Sequence, residues 1–188
     1  MNRTSLFGIS ALSIALAACQ GPSETPTEEA TVEAAQPEAL GEAKLSKADG
    51  SEAGTALLSA TGDEVTVRIM LTNLSEGVHA VHLHTTGSCE ASDFTSAGGH
   101  LNPEMKEHGL QNPAGPHLGD MPNAVVDAQG NSSISATLHG TREEAVASIF
   151  DEDGTAVVVH EGEDDNVSDP AGNAGGRIAC GVITPAST

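Results

Sequence analysis

The chain is poor in aromatic residues: its 188 residues include no Trp, no Tyr and only three Phe. Beyond the first twenty positions the only aromatic residues are Phe94 and Phe150. A core built around large aromatic rings is therefore excluded, and Val, Ile, Leu and Ala have to fill the interior. Because β-branched side chains fit the pleated surface of a sheet, such an interior favours strands.

Positive charge is also scarce. The chain has 7 Lys and Arg against 27 Asp and Glu, which gives a formal net charge of -20. A protein that binds nucleic acid needs a basic surface for the phosphate backbone, so the composition argues against nucleic acid as a partner. The same charge repels an anionic substrate, although charges farther away than a Debye length of about 8 Å are largely screened at physiological salt.

The apolar run at residues 6–17 is too short to cross a membrane as a stable helix. It follows Arg3 and ends in Leu16-Ala17-Ala18-Cys19, the pattern of a cleaved export signal. This ending resembles the lipobox of bacterial lipoproteins, which implies cleavage before Cys19 and lipid attachment to its thiol. An ordinary secretory signal is the alternative. The lipoprotein interpretation predicts a protein anchored to a membrane of the bacterial cell envelope, facing the periplasm or the exterior.

Composition divides the chain into three parts. Residues 1–18 form the predicted signal peptide. Residues 19–41 form a linker that begins with the lipidated Cys19, is rich in Glu and Pro, and is expected to be disordered. The remaining residues, 42–188, are enough for one domain with its own core, so no second domain is needed.

Short alternating or β-branched runs separated by turn residues fill this domain. They lie at residues 65–71, 77–84, 124–126, 134–138, 156–160 and 178–183. About eight short strands without long helical periodicity indicate an all-β fold, either an antiparallel sandwich or a barrel. The helix-favouring cluster Arg142-Glu143-Glu144 could add a helical turn, which is too short to change the fold class.

Six His and one Asp are spaced as ligands of two adjacent metal sites. His82 and His84 alternate with apolar residues, which places both rings on one face of a strand, and His79 on the opposite face is predicted to be a hydrogen-bonded core residue. His160 follows a separate apolar run. The other candidate ligands lie on a long loop rich in Gly, Pro and Asn: His100, His108, His117 and Asp120. Imidazole suits both copper and zinc.

If Cys19 is lipidated, Cys89 and Cys180 remain as an even pair in a compartment that permits disulfides. We expect them to form one bridge between the loop that carries the metal ligands and a strand near Arg177. Two separate buried thiols are the alternative.

Several blocks together resemble the copper/zinc superoxide dismutases, over about residues 42–185, and in particular their bacterial branch. The final block, with its Gly-Asn-Ala-Gly opening and its spacing from Arg177 to Cys180, is the most specific. The matching blocks are residues 77–84 (GVHAVHLH), 95–103 (TSAGGHLNP), 108–109 (HG), 117–120 (HLGD), 158–161 (VVHE) and 172–183 (GNAGGRIACGVI).

The resemblance implies an eight-stranded Greek-key β-barrel and an oxidoreductase that converts superoxide to dioxygen and hydrogen peroxide. It also implies copper and zinc as cofactors. The implied copper ligands are His82, His84, His100 and His160. The implied zinc ligands are His100, which bridges the two metals, together with His108, His117 and Asp120.

The resemblance further implies roles beyond metal binding for Arg177, His100 and Asp164. Arg177 would orient the small anion beside copper, and His100 would pass a proton to the product, so both are expected to be catalytic. Asp164 would link a copper-binding His to a zinc-binding His. A homodimer is compatible with the family, and Lys106 could help Arg177 to attract superoxide locally. His139 is given no role.

Two other interpretations compete with a dismutase. A non-catalytic protein that stores or delivers copper and zinc would need the ligands but neither Arg177 nor an open copper position. A zinc-dependent hydrolase would need a carboxylate general base beside an open zinc position, whereas the four ligands expected here fill the zinc site.

Overall fold

The protein is described by a computed structural model that covers residues 36–187. Within these residues the chain forms ten strands, one α-helix and one 3₁₀ turn at Thr95–Ala97. The helix α1 spans Arg142–Ile149. The strands are β1 (Glu38–Lys47), β2 (Glu52–Thr61), β3 (Glu64–Leu71), β4 (Gly77–His79), β5 (Val81–His84), β6 (Ala124–Val126), β7 (Ser132–Thr137), β8 (Ala156–His160), β9 (Arg177–Val182) and β10 (Thr184–Pro185).

The strands form an antiparallel sheet in the order β5-β8-β9-β1-β2-β3-β7, and β4 pairs with β6. Strand β3 therefore pairs with β7, although β4 follows it in the sequence. Such a connection between strands that are not consecutive is the crossover of a Greek key. A turn closed by the bond from Asp127 N to Asn131 O (2.9 Å) joins β6 to β7, and only Ala80 separates β4 from β5. The sheet curls back on itself through these links, and the predicted all-β antiparallel fold is confirmed.

The strand count differs from the expected eight because one predicted strand is divided. Residues 77–84 form β4 and β5, separated at Ala80, whose N–H bonds Gly162 O (2.8 Å) and whose carbonyl accepts from His160 N (2.9 Å). These bonds turn the chain from pairing with β6 to pairing with β8. The short strand β10 adds two residues that pair with β1.

The core is made of small and branched aliphatic side chains, as the lack of aromatic residues predicts. On β3, for example, Val65, Val67, Ile69 and Leu71 are buried in alternation with more exposed residues. Phe94 is buried in a smaller cluster between the sheet and the loop after β5, together with Ala97, Ala156, Val158 and Cys180.

The domain begins earlier than the sequence predicts. Strand β1 starts at Glu38, four residues before the boundary expected at Glu42. Leu40 packs against the core, and a side chain at Gly41 would collide with Thr184 O and the Phe150 ring. The composition of residues 37–41 resembles a linker, but pairing with β2 orders them. The predicted signal peptide, Cys19 and most of the predicted linker lie outside the described residues.

A two-turn helix occupies the segment where a helical turn was expected. Thr141 caps it with a capping box: Glu144 N donates to Thr141 Oγ1, and the Glu144 carboxylate accepts from Thr141 N. Of the helices in residues 36–187, none is long and apolar enough to span a membrane.

The predicted disulfide is confirmed. Cys89, on the loop after β5, is bonded to Cys180 on β9, across 91 residues of sequence. Cys180 is buried in the same small cluster as Phe94. The bridge therefore fastens the loop between β5 and the metal-ligand segment to the sheet.

Candidate metal centre

The backbone of the long loop places its ligands by pairing with the free edge of β5. Leu83 N donates to Gly119 O (2.9 Å), and Leu101 N donates to Leu83 O (2.8 Å). Isolated bridges also pair His82 with Asp120 and His84 with His100. Loop residues that are 16 and 38 positions from their partners in the sequence are thereby brought beside the two β5 histidines.

Four imidazoles meet at one point, each with one unpartnered nitrogen. His82, His84, His100 and His160 are buried, and one ligand atom from each lies within 4.8 Å of the others. Within residues 36–187, the atoms of these rings that lack a hydrogen-bond partner are His82 Nδ1, His84 Nε2, His100 Nε2 and His160 Nε2. A buried polar atom without a partner is costly, and four of them in one cluster fit a metal that takes nitrogen ligands.

The opposite nitrogens of three of these rings are fixed by acceptors. His82 Nε2 lies 2.7 Å from Asp164 Oδ2, His84 Nδ1 lies 3.0 Å from Gly98 O, and His160 Nδ1 lies 3.3 Å from Gly175 O. Each acceptor favours the tautomer with its proton on the outer nitrogen, which leaves a lone pair on the inner one.

The three rings with shifted pKa values in this cluster are neutral near pH 7. Burial, reinforced by the neighbouring histidines, lowers the pKa of His84 to about 2 and that of His160 to about 3. Burial also lowers the pKa of His100 to about 4, against the opposing influence of Asp120. Neutral imidazole is the form that binds a metal.

The second cluster has the dimensions of a tetrahedral site. Asp120 Oδ1 lies 3.0 Å from His100 Nδ1, 3.0 Å from His108 Nδ1 and 3.3 Å from His117 Nδ1. The Nδ1 atoms of His100 and His117 are 3.5 Å apart. A tetrahedron with metal–ligand bonds of about 2.0–2.1 Å has edges of about 3.3 Å, so three His and one Asp fit zinc.

His100 belongs to both clusters, since its Nε2 faces the first and its Nδ1 faces the second. The protein thus places one imidazole between two potential cation sites. Oxygen and nitrogen donors alone line both sites, and the two cysteines of the described domain are joined to each other.

Charge in the second cluster is balanced between one histidine and two carboxylates. Burial disfavours the charged ring of His108, but hydrogen bonds and charge from Asp120 and Asp164 outweigh it and raise its pKa to about 9. Burial would raise the pKa of Asp120, yet hydrogen bonds from His100, His108 and the Gly109 amide hold it well below its usual range. A zinc ion would displace the proton that His108 carries.

Asp164 links the two clusters from outside, as the resemblance to the family implied. Its Oδ2 contacts His82 Nε2 (2.7 Å), and its Oδ1 contacts His108 Nε2 (3.0 Å). Asn123 holds the backbone of Asp164 from both sides, because Asp164 N donates to Asn123 Oδ1 (2.9 Å) and Asn123 Nδ2 donates to Asp164 O (2.8 Å). Sequence reasoning missed Asn123, which carries no motif and lies 41 residues from Asp164.

Arg177 lies at the opening of the first cluster. Its Nη1 donates to Phe94 O (2.7 Å), and its Nη2 donates to Gly98 O (2.6 Å). Gly98 O is also the acceptor of His84 Nδ1, so one carbonyl orients both the arginine and a candidate ligand. Arg177 lines a cavity of about 390 Å³ together with His84, His100, His160, Lys106 and Asp169.

His79 is a buried, hydrogen-bonded residue outside both clusters, as predicted. Its Nδ1 lies 2.8 Å from His160 O, and its Nε2 lies 3.0 Å from Ser75 O. His79 therefore holds the backbone of His160 and does not join either cluster. His139 is exposed.

Comparison with known proteins identifies this centre. The family model described as copper/zinc superoxide dismutase (SODC) matches residues 52–183, which include every residue of both clusters. The chain belongs to the copper/zinc superoxide dismutase family. A relative named superoxide dismutase (Cu-Zn) 1, from Aquifex aeolicus, is 46% identical over 140 residues, which cover 71% of this chain and 81% of that protein.

Two further similarities come from Bacillus subtilis. The superoxide dismutase-like protein YojM is 34% identical over 183 residues, covering 95% of this chain and 93% of that protein. The crystal structure of a SOD-like protein from the same organism has a TM-score of 0.69 and 33% identity, and the match covers 78% of this chain and 100% of that one. The copper/zinc superoxide dismutase fold thus extends over the described domain.

Proposed function

We propose that this chain is an oxidoreductase that dismutates superoxide, converting two superoxide anions and two protons to dioxygen and hydrogen peroxide. The observation that carries the proposal is the pair of clusters that share His100, with four unpartnered nitrogens on one side and a tetrahedral set on the other. Membership in the copper/zinc superoxide dismutase family supports it.

The first cluster fits copper and the second fits zinc. We assign copper to His82, His84, His100 and His160, because a four-nitrogen set suits it, and zinc to His100, His108, His117 and Asp120. When bound, copper supplies the reversible one-electron chemistry that dismutation requires.

The residues around the copper set bind the anion and move a proton. Arg177 is anchored by two carbonyls and lines the cavity, so its guanidinium holds the anion at a fixed position. His100 lines the same cavity, and we expect its Nε2 to take up a proton from water and to pass that proton to the product. Asp120, beside His100 Nδ1, keeps the ring in place during that transfer.

Attraction of superoxide is local, because the molecule as a whole is strongly acidic. Lys106 also lines the cavity, but its Nζ lies 2.8 Å from Glu104 Oε2, which offsets its charge. Arg177 is the cavity cation whose recorded hydrogen bonds go to carbonyl oxygens and not to a carboxylate. With a Debye length of about 8 Å, this nearby charge is screened less than the charges of the distant acidic surface.

Metal storage and zinc-dependent hydrolysis, the two competing interpretations, each require a different arrangement of residues from a dismutase. Metal storage would not require the two carbonyl anchors that hold Arg177 beside the copper set. A zinc hydrolase would require an open zinc position beside a carboxylate base, but the four ligands of a tetrahedral site are already supplied by His100, His108, His117 and Asp120.

Arg177→Ala separates dismutation from metal storage. We expect the variant to keep one copper and one zinc per chain but to lose about tenfold or more in kcat/KM for superoxide, since a charge-assisted contact to substrate is removed. Metal analysis and a superoxide assay on the same sample measure both quantities.

The matched control for this substitution is Arg142→Ala, which removes an arginine that pairs with Glu38 on the surface. It should leave metal content and rate unchanged. Wild-type protein that is fully loaded with metal but inactive would favour storage, whereas a fully active Arg177→Ala would contradict the role of Arg177 in binding the anion.

We further propose that the chain is a lipoprotein anchored through Cys19 to a membrane of the bacterial cell envelope. The support is the sequence Leu16-Ala17-Ala18-Cys19 after an apolar run. Expression with a labelled fatty acid tests this: label should enter the wild type and be absent from Cys19→Ser. Label in both would refute attachment at Cys19, and label in neither would favour an ordinary secretory signal.

A homodimer stays a prediction that light scattering on the domain alone can measure.

A further inference from the structure

The inner ligand atoms of the two clusters are supported by outer partners, with one exception. His82 and His108 contact Asp164, and His84 and His160 contact carbonyl oxygens. His100 uses both nitrogens toward the two clusters. His117 is different: among the described residues, no hydrogen bond to its Nε2 is recorded, although an outer partner normally fixes a ligating histidine.

The polar group that faces His117 Nε2 is the carboxylate of Asp169. The distance from Nε2 to Asp169 Oδ1 is 3.8 Å, which is too long for a hydrogen bond but close enough for attraction. The same Oδ1 accepts a hydrogen bond from His108 N (2.8 Å), across 61 residues of sequence. One exposed carboxylate thus touches the backbone of one zinc-site residue and faces the ring of another.

We propose that Asp169 is a positioning residue for the zinc site, which holds the backbone of His108 and orients the ring of His117. This inference rests on the proposed function, since it assumes that the second cluster binds zinc. Asp169 lies between β8 and β9, so it also ties the segment that follows His160 to the loop that carries the zinc ligands. A shift of the exposed carboxylate brings it within hydrogen-bond distance of His117.

The position of Asp169 has a consequence for the substrate. Its side chain is 54% exposed and lines the cavity that contains Arg177, so it places a negative charge on the path of an anion. Asp169 therefore supports the metal site and at the same time weakens the attraction of the entrance for superoxide.

Two substitutions separate these effects. Asp169→Asn keeps an oxygen that can accept from His108 N and His117 Nε2 but removes the charge, whereas Asp169→Ala removes both. Glu163→Gln is the matched control, because it removes one charge from an exposed position in the same segment, outside the cavity.

Zinc release from the loaded protein to a chromophoric chelator gives the first measurement. We expect Asp169→Ala to lose zinc at least about tenfold faster than the wild type, the lower end of the effect of removing an outer partner. Asp169→Asn should stay within about twofold, as should Glu163→Gln. Unchanged release from Asp169→Ala would overturn the proposal, and equal acceleration in Asp169→Asn would show that the charge, and not the acceptor, matters.

The rate of superoxide consumption at several ionic strengths gives the second measurement. Asp169→Asn should exceed the wild type by about twofold at low salt and converge with it at high salt, while Glu163→Gln follows the wild-type curve. An Asp169→Asn curve that coincides with the wild-type curve would refute the effect on the entrance. Zinc release does not depend on dismutation, so its result stands even if the chain proved to be inactive.

Discussion

At the scale of single residues, the two clusters depend on the carboxylate of Asp164, which is not one of the proposed metal ligands. Asp164 is buried and contacts one ring from each cluster with a different oxygen. Burial would raise its pKa, but the hydrogen bonds from His108 and His82 hold it well below its usual range. Asp164 is therefore charged at neutral pH, and both of its oxygens act as acceptors.

Asp164→Asn should weaken binding of at least one of the two metals by about 10- to 100-fold. The amide has one acceptor oxygen in place of two, so either His82 or His108 faces an NH₂ group and loses its outer partner. Competitive titration with chelators of known affinity measures the change for each metal. Asp165→Asn is the control, because Asp165 accepts only from residues of its own loop, Val167, Ser168 and Asn173. Wild-type affinity for both metals in Asp164→Asn would contradict the linking role.

At the scale of elements, the loop that carries the metal ligands is held by backbone hydrogen bonds to the edge of β5. Gly119 is central to this contact, since its carbonyl accepts from Leu83 N and its own N–H donates to Leu101 O (both 2.9 Å). A Cβ at Gly119 would collide with Leu83 O and approach Leu101 N. The absence of a side chain there allows His117 and Asp120 to lie against His82 and His84.

Gly119→Ala should push the loop away from β5, lower the affinity for zinc by at least about tenfold and reduce the free energy of unfolding by about 1–3 kcal/mol. Metal content after dialysis and urea unfolding of the metal-free protein measure these effects. Gly99→Ala is the same change in the same loop at a position where a Cβ would meet nothing within 4 Å. Equal metal content in the two variants would show that the close contact at Gly119 is not required.

At the scale of the whole molecule, the disulfide and the barrel act on the same wall of the cavity. Cys89 precedes the turn whose Phe94 and Gly98 carbonyls hold Arg177, and Cys180 lies three residues after Arg177 on β9. The bridge thus fastens the anchors of Arg177 to the strand that carries it.

Removing the disulfide by a double change, Cys89→Ala with Cys180→Ala, should lower the free energy of unfolding by about 2–5 kcal/mol, because the unfolded chain regains the freedom of a long loop. Urea unfolding of the metal-free forms, followed by circular dichroism, measures the difference. The wild type treated with a reductant should behave like the variant. If the double variant unfolded at the same urea concentration as the oxidised wild type, the disulfide would have no stabilising role.

The buried histidines also set how the metal-free molecule responds to acid. In the folded state the pKa values of His84, His100 and His160 are about 2, 4 and 3, below the ordinary 6.5. Between about pH 6.5 and pH 4 the unfolded chain therefore binds more protons than the folded one, and the free energy of unfolding falls as the pH falls. His108, with a raised pKa of about 9, acts oppositely: its contribution is complete below about pH 6.5 and is lost as the pH rises through 9.

Urea unfolding of the metal-free protein at pH 7, 6, 5 and 4 should accordingly show a steady loss of stability. Loading with copper and zinc should raise the stability at pH 7 and leave its fall with decreasing pH at least as steep, because ligation keeps these nitrogens free of protons in the folded state only. A metal-free curve that is level from pH 7 to 4 would contradict the burial of neutral rings.

The sequence by itself determined which groups the molecule has for chemistry and which fold class it adopts. Alternation placed His82 and His84 on one strand face, the lack of aromatic residues predicted an aliphatic strand-rich core, and the even pair Cys89 and Cys180 indicated a bridge. These features are local or compositional, so they can be recognised without knowing which distant segments meet.

The tertiary structure alone decided how those groups are held. Asp164 meets His82 across 82 residues and Asn123 across 41, and Asp169 meets His108 across 61. The anchors of Arg177 are backbone carbonyls, which every residue has, so no side-chain motif marks them. The start of β1 at Glu38 also depends on pairing with β2, which overrides the linker-like composition of that segment. Contacts between distant parts of the chain follow from the path of the barrel, because Asn123, Asp164 and Asp169 lie on loops that become neighbours only after the strands between them have paired.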